Sequence, residues 1–300
     1  MKKFIGYILS FGVVFYLLLH IISVASFWTL RRSAFYKPPF LVNEVKVSDF
    51  DYIILGASTG LTTLNTHIID SITGKQGINL AIDDTGLSNH YLMLQHFLAN
   101  GKITRYCVLN TSLEAFDRQH NFLGDNDYRF LMYRDKDYVF NYYNSLAPKE
   151  GFNVLRYSKW TPFLGLSYYN TELFFPALSS VFYPHKRNRF DSLGNYTYSN
   201  VTGTPALKNK TEKEIRFKNP YLKKIETLCK QNNIELIYYF SPDKTRNVKC
   251  FSSSRNVINH TDVFKEVPYF YDAIHVVRKG NREASKLFAN ELIKLYLIEE

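Results

Sequence analysis

Residues 51–61 read Asp51-Tyr52-Ile53-Ile54-Leu55-Gly56-Ala57-Ser58-Thr59-Gly60-Leu61. Asp51–Leu55 is a short apolar, β-favouring run of the kind that forms a buried strand. It passes directly into five small residues, Gly56 to Gly60, and then into a helical pattern from Leu61 to about Ile72. Strand, tight turn and helix in succession make the first half of a βαβ unit. Further along, Ile78–Ile82 reads as a second strand. Gly86 to Asn100 carries Leu87, Tyr91, Leu94, Phe97 and Leu98 at helical spacing and stops at Gly101. Tyr106–Leu109 is a third strand. Near the end, Pro220–Asn232 is an amphipathic helix, Ile234–Phe240 a strand, and Arg278 to about Ile298 a last helix. Strands alternating with helices predict an α/β fold around an open parallel sheet.

The chain has 300 residues, 46% hydrophobic and 21% charged, with 37 Lys+Arg against 27 Asp+Glu. That hydrophobicity excludes a disordered chain. A single long apolar run excludes a polytopic membrane protein. The run is Phe4 to Trp28: 19 of its 25 residues are apolar and none is Lys, Arg, Asp or Glu. About 20 residues suffice to cross a bilayer core. The positive Met1-Lys2-Lys3 favours a cytoplasmic N-terminus, although Arg31, Arg32 and Lys37 on the far side weaken that bias. Ser23-Val24-Ala25 also fits a signal-peptide cleavage site, but Phe4 to Ile22 is longer than an ordinary signal core. Anchor or signal, both readings place the remainder outside the cytoplasm. The expected organisation is an anchor over 1–28, an extended Pro38-Pro39 linker over 29–50, and a domain over 51–300 interrupted at about 115–218.

The interruption is aromatic-rich: residues 115–200 hold 22 of the 49 aromatics. They either stack on sugar rings or, as aromatics more often do, pack a subdomain core. Residues 185–224 hold ten Lys/Arg (Lys186, Arg187, Arg189, Lys208, Lys210, Lys213, Arg216, Lys218, Lys223, Lys224) against Asp191, Glu212 and Glu214. No nucleic-acid motif accompanies them, so anionic lipid, acidic glycan or plain solvent are the expected neighbours. Cys107, Cys229 and Cys250 are too few for a disulfide framework or zinc site, and the first two sit in apolar patterns. His67, His90, His96, His120, His185 and His260 show no ligand spacing, and His90 and His96 read as surface or packing residues. No metal and no cofactor is expected. Four acceptor patterns for glycosylation, at Asn195, Asn200, Asn209 and Asn259, read as chance.

Gly56-Ala57-Ser58-Thr59-Gly60 fits G-x-S-x-G, a turn that lifts a serine hydroxyl above a sheet edge. A Gly/Ser-rich turn after a first strand also cradles phosphate in nucleotide-binding folds, but neither the dinucleotide nor the phosphate-loop fingerprint is present. Asp272-Ala273-Ile274-His275 lies just before the last helix. A serine needs a base to take its proton; a histidine does this near neutral pH, and a carboxylate fixes its tautomer. Either residue alone reads as a surface or capping loop, whereas with Ser58 they make a candidate triad.

The order, serine after the first strand with Asp and His sharing one late loop, resembles the SGNH or GDSL-like hydrolase superfamily rather than the α/β-hydrolase fold. Ile54-Leu55-Gly56-Ala57-Ser58 matches the first block, with Ala57 where the family often has Asp. Asn79 to Ser88 matches the second, and Val108-Leu109-Asn110-Thr111-Ser112 stands where the third would be without its Gly-x-Asn-Asp pattern. Asp272 to His275 matches the last, and the segment ending in Ser241-Pro242 is similar to the family's penultimate unit. The resemblance implies a three-layer, flavodoxin-like parallel sheet, with Ser58, His275 and Asp272 catalytic and Gly86 and Asn110 in the oxyanion hole. With an N-terminal anchor it implies a bacterial inner-membrane, periplasmic esterase or O-acyltransferase acting on cell-surface polysaccharide. A transferase would need an acyl-supplying membrane partner. A non-catalytic glycan-binding or assembly component of a polysaccharide export system, keeping the fold, is the alternative.

Overall fold

The computed structural model describes residues 1–200, 210–250, 255–264 and 267–299. Lys208 and Asn209, named above, and the Val201-Thr202 half of the acceptor pattern at Asn200 lie outside the described residues. In chain order the helices are α1 (Lys2–Arg31), α2 (Lys37–Asn43), α3 (Ser58–Thr63), α4 (Thr66–Thr73), α5 (Leu87–Ala99), α6 (Asp137–Ser145), α7 (Val154–Tyr157), α8 (Pro162–Tyr168), α9 (Asn170–Phe182), α10 (Pro220–Gln231) and α11 (Arg278–Glu299). The strands are β1 (Asp49–Gly56), β2 (Gly77–Asn79), β3 (Ile103–Asn110), β4 (Thr211–Ile215), β5 (Glu235–Phe240), β6 (Arg246–Cys250) and β7 (Asn256–Asn259). The chain divides into two compact units, one formed by residues 1–46 with 127–188, the other by 47–126 with 189–300.

The larger unit holds a five-stranded, all-parallel sheet in the order β2-β1-β3-β5-β7. Its strands are apolar on both faces because both are covered. On one face Tyr52, Ile54, Tyr106, Val108, Ile237 and Tyr239 join Ile69 of α4 and Phe288, Ala289 and Leu292 of α11 in one buried core. Residues of opposite parity point the other way. There the Tyr238 hydroxyl donates to Glu226 of α10 at 2.6 Å, the Cys107 thiol meets Cys229 of α10, and Tyr221 of α10 touches Tyr91 of α5. The period of two along each strand thus yields two cores, with α4 and α11 on one side and α5 and α10 on the other. β4 and β6 form a separate parallel pair.

The order of the central sheet reverses between β1 and β3: the chain steps outward to β2, then returns past β1. Two strands leaving such a point in opposite directions open a crevice at their carboxyl ends, where α/β sheets carry their ligands. β1 ends at Gly56 and β3 at Asn110, side by side in register.

Several local expectations change. The helix expected over 61–72 is two. α3 begins at Ser58, the chain extends through Leu64 and Asn65, and α4 restarts with Asn65 accepting from His67 N at 3.0 Å as its cap. The segment 29–50 is not an extended linker. α1 continues to Arg31, and Pro38-Pro39 occupies the first turn of α2, where proline's fixed φ suits a helix and its missing N–H costs nothing. Asn43 ties the junction, its Nδ2 lying 2.9, 2.8 and 2.9 Å from the carbonyls of Arg31, Ser33 and Pro39.

The smaller unit contains α1, α2, a 3-10 turn at Asp127–Tyr133 and α6 to α9. The segment expected to interrupt the domain at about 115–218 lies between β3 and α10, and within it residues 127–188 pack with the N-terminal segment. α1 is long and apolar enough to cross a membrane. Tyr36, Tyr128, Phe130 and Tyr143 are buried in this unit, whereas Phe152, Trp160, Tyr168, Phe174, Phe175, Phe182 and Tyr183 are exposed, so packing accounts for only part of the aromatic enrichment.

Candidate active site

The turn after β1 is set by contact with β3. A Cβ on Gly56 would lie 1.7 Å from the Asn110 carbonyl oxygen, and one on Gly60 would lie 2.7 Å from the same atom. Both glycines of the G-x-S-x-G pattern are therefore demanded by the close approach of one backbone carbonyl. The Ala57 amide donates to that carbonyl at 3.2 Å. Ser58 follows as the first residue of α3, half-buried, its hydroxyl above the carboxyl end of the sheet.

The Asp272-to-His275 loop meets it there. The Ser58 hydroxyl and His275 Nε2 are 2.8 Å apart, and His275 Nδ1 is 2.7 Å from Asp272 Oδ2. Asp272 also organises its own loop: its Oδ1 accepts from the amides of Ile274 at 2.9 Å and His275 at 2.8 Å. The spacing of three residues is what lets one carboxylate cap the turn with one oxygen and hold the imidazole with the other. Burial alone would raise the Asp272 pKa. The hydrogen bonds from the His275 ring and from the two amides outweigh it and hold the carboxyl below its usual range. Asp272 is therefore an anion near neutral pH, and it fixes the tautomer with the proton on Nδ1 and the lone pair of Nε2 facing Ser58.

Asn110 is fully buried at the end of β3. Its Oδ1 accepts from the Ser241 hydroxyl at 2.8 Å, while its Nδ2 has no hydrogen-bond partner among the described residues. An amide whose acceptor is occupied and whose donor is unspent is arranged to give a hydrogen bond to something that arrives. Next to it lies a small cleft lined by Thr59, Thr111, Ser112, Leu113, Ser241, Pro242, Asp243, Arg246 and Ile274, the chain neighbours of Ser58, Asn110 and His275 among them. Arg246 brings no free charge to this cleft: its guanidinium is held by Asp243 at 2.8 Å and by Glu114.

The structure brings together four of the five candidate residues, Ser58, His275, Asp272 and Asn110. Gly86 is different. It stands at the start of α5 with open space where a side chain would be, and its carbonyl accepts from the amides of Asn89 and His90. Among the described residues no hydrogen bond ties it to the other four. His90 and His96 are buried rather than at the surface. His90 Nε2 lies 3.1 Å from the Thr111 hydroxyl, and burial drives its pKa down to about 3, so it is neutral structure under the cleft floor. Asn195 is buried, accepting from Thr66 N at 2.9 Å, which leaves no room for a glycan there.

Two groups were not singled out beforehand. Ser241 orients Asn110; the Ser241-Pro242 pair after β5 marked the place but not the role. Tyr198 sets its ring edge against His275 at 5.7 Å and stacks on Tyr271 at 4.2 Å. Only the surplus of aromatics near 115–200 hinted at Tyr198. Among the described residues no group of His, Cys, Asp and Glu could hold a metal ion. No family model matches the chain, and no curated protein matches it.

Proposed function

We propose that the protein is a membrane-anchored serine acyl-transfer enzyme of the SGNH type, working outside the cytoplasm on the hydroxyl groups of a cell-surface glycan. The observation that carries this is the hydrogen-bonded chain Ser58–His275–Asp272 lying beside an unspent Asn110 amide. Spatial proximity of a serine to a histidine is common enough. A serine, a base, an orienting carboxylate and a free buried donor on one crevice edge are what acyl transfer needs and what a structural turn does not. The reversal of strand order at this edge, and the flavodoxin-like sequence of strands, support the same family reading.

The steps follow from the geometry. The Ser58 oxygen attacks the acyl carbonyl carbon while His275 Nε2 takes the hydroxyl proton. The charge that develops on the carbonyl oxygen is met by Asn110 Nδ2 and by the Ser58 backbone N–H at the start of α3. Collapse expels the donor's leaving group, which takes the proton back from His275, and leaves an ester on Ser58. A sugar hydroxyl, or water, then gives its proton to His275 and attacks that ester, returning Ser58 to its hydroxyl form. The adjoining cleft, to which Thr59 and Ile274 contribute as the chain neighbours of Ser58 and His275, is small and favours a short acyl group such as acetyl over a fatty chain. The Tyr198–Tyr271 stack beside His275 offers an aromatic face to the acceptor sugar. α1, with its positive N-terminus, is the anchor of this reading, and an acyl donor from the cytoplasm would have to be supplied by a separate membrane protein.

The test is the acyl content of the surface glycan in cells carrying Ser58→Ala from the native locus. Loss of glycan acylation with normal protein level supports a transferase, and a rise in acylation supports an esterase. Unchanged acylation means that the fold serves a non-catalytic role.

A further inference from the structure

α1 presents two different surfaces. From Phe4 to Ile22 its large side chains are exposed almost all round, among them Phe4, Leu9, Phe11, Val14, Leu17 and Ile21. From Ser23 to Leu30 one face, Ser23, Ser26, Phe27 and Leu30, is buried within its own unit. α8 and α9 pack against this helix, and α8 reaches back along it. The ring of Phe163 meets Tyr16 edge-on at 5.6 Å. At about 1.5 Å per residue, Tyr16 lies about 9 Å inside the apolar stretch that ends at Ile22. When α1 spans a bilayer, this part of the unit therefore stands at the depth of the hydrocarbon boundary.

α9 is built for that level. Leu173, Pro176, Ala177 and Ser180 make its buried side. Phe174, Phe175, Leu178, Val181 and Phe182 make the opposite stripe, each at least 37% exposed. Residues 173–183 contain no charged side chain. A helix facing water carries its charges on this side, whereas a helix lying in a membrane interface carries an apolar, aromatic stripe sunk about 5–10 Å and basic groups at the headgroups. Tyr183 and the exposed Lys186 follow the stripe directly, and the Arg32 guanidinium lies 3.9 Å over the Trp28 ring near the end of α1. Aromatic and basic residues at one end of an apolar surface are the mark of the headgroup layer.

We propose that the exposed face of α9 docks into the lipid bilayer beside α1, so that the smaller unit is a membrane-embedded foot rather than a water-facing subdomain. The occupant is the acyl and headgroup boundary of the leaflet in which α1 ends. This rests on α1 being the membrane anchor.

The experiment uses the full chain reconstituted in phosphatidylcholine and phosphatidylglycerol vesicles, with Trp28 and Trp160 replaced by Phe. Single reporters are Phe175→Trp and Leu178→Trp on α9, and Phe11→Trp on α1. Emission is measured with brominated-acyl lipids and with aqueous iodide. The expected result is that both α9 reporters lose most of their emission to brominated lipid and little to iodide, as Phe11→Trp does. Two separate α9 positions keep one misfolded variant from deciding the outcome. If Phe11→Trp is quenched by lipid while both α9 reporters are open to iodide, α1 spans and the docking proposal is wrong. If Phe11→Trp is itself open to iodide, the anchor reading fails and the docking proposal fails with it.

Discussion

At the scale of single residues, Asn110 joins the two halves of the site. Its carbonyl dictates glycine at 56 and 60, and its buried side-chain amide has no hydrogen-bond partner among the described residues. Removing that donor in Asn110→Ala is expected to lower kcat by about 10²–10³ with little change in KM, the signature of an interaction made in the transition state. Ser241→Ala leaves the donor present but free to turn, so its kcat loss should be smaller than that of Asn110→Ala; an equal loss would show that the pair acts as one unit. Asp272→Asn can no longer hold the proton on Nδ1, and kcat should fall by about 10⁴. A site away from the chemistry supplies a pH test. Burial raises the Asp70 carboxyl to about 6, against hydrogen bonds from the Tyr52 hydroxyl and the Gly77 amide that favour the anion. A carboxyl raised on folding contributes stability below its unfolded pKa and loses it as pH rises through about 6. Asp70→Asn keeps both acceptor contacts. Allowing for solvent screening, it should gain about 1–2 kcal/mol on the wild type between pH 4 and pH 7 in urea titrations; a difference that is flat with pH contradicts this. Ser58 and the Asp272–His275 pair were legible because each motif is local in sequence. Asn110 was legible only as the end of a strand, and Ser241's role was not, because an amide's orientation depends on a partner 131 positions away.

At the scale of elements, buried parallel strands announce themselves as short apolar runs, and β1, β3 and β5 were read close to where they lie. β2 was read too long. Leu80 and Ile82 still donate to the carbonyls of Ile54 and Gly56, but the regular strand stops at Asn79. β4, β6 and β7 were missed, since they are polar strands whose pairing, not their composition, defines them. The same local logic misread Pro38-Pro39, which signals an extended chain unless it opens a helix, as it does in α2. The elbow gives the sharpest element-level prediction. Gly56→Ala forces β1 away from β3 at the point of their closest approach, and should cost at least about 3 kcal/mol in unfolding free energy by urea denaturation. Gly86→Ala, with open space at its Cβ, should cost less than about 1 kcal/mol. Comparable losses at the two positions would refute the claim that Asn110's carbonyl sets the turn.

At the scale of the whole molecule, the formal charge of +10 and the aromatic surplus each conceal a division that only packing reveals. The basic segment is shared between the two units, and several of its members are spent on local pairs: Lys210 with Asp262 at 2.9 Å, Lys213 with Glu114 at 3.5 Å, Arg216 with Glu214 at 2.8 Å. The aromatic segment joins the N-terminal helix in a unit of its own, an association between distant stretches that no local pattern encodes. If α1 is the anchor and its positive end stays inside, alkaline phosphatase fused to the C-terminus should be active in cells. A stable, inactive fusion would reverse the orientation. The central claim, that Ser58 is a nucleophile activated by a histidine 217 positions away, calls for one measurement. The full-length protein, purified in mild detergent, is treated with a fluorophosphonate and its adduct located by intact mass and peptide mapping. A single adduct on Ser58 is expected in the wild type, absent in Ser58→Ala and strongly slowed in His275→Ala. A wild-type protein that takes no adduct, or a Ser58→Ala variant that labels equally well, would contradict it.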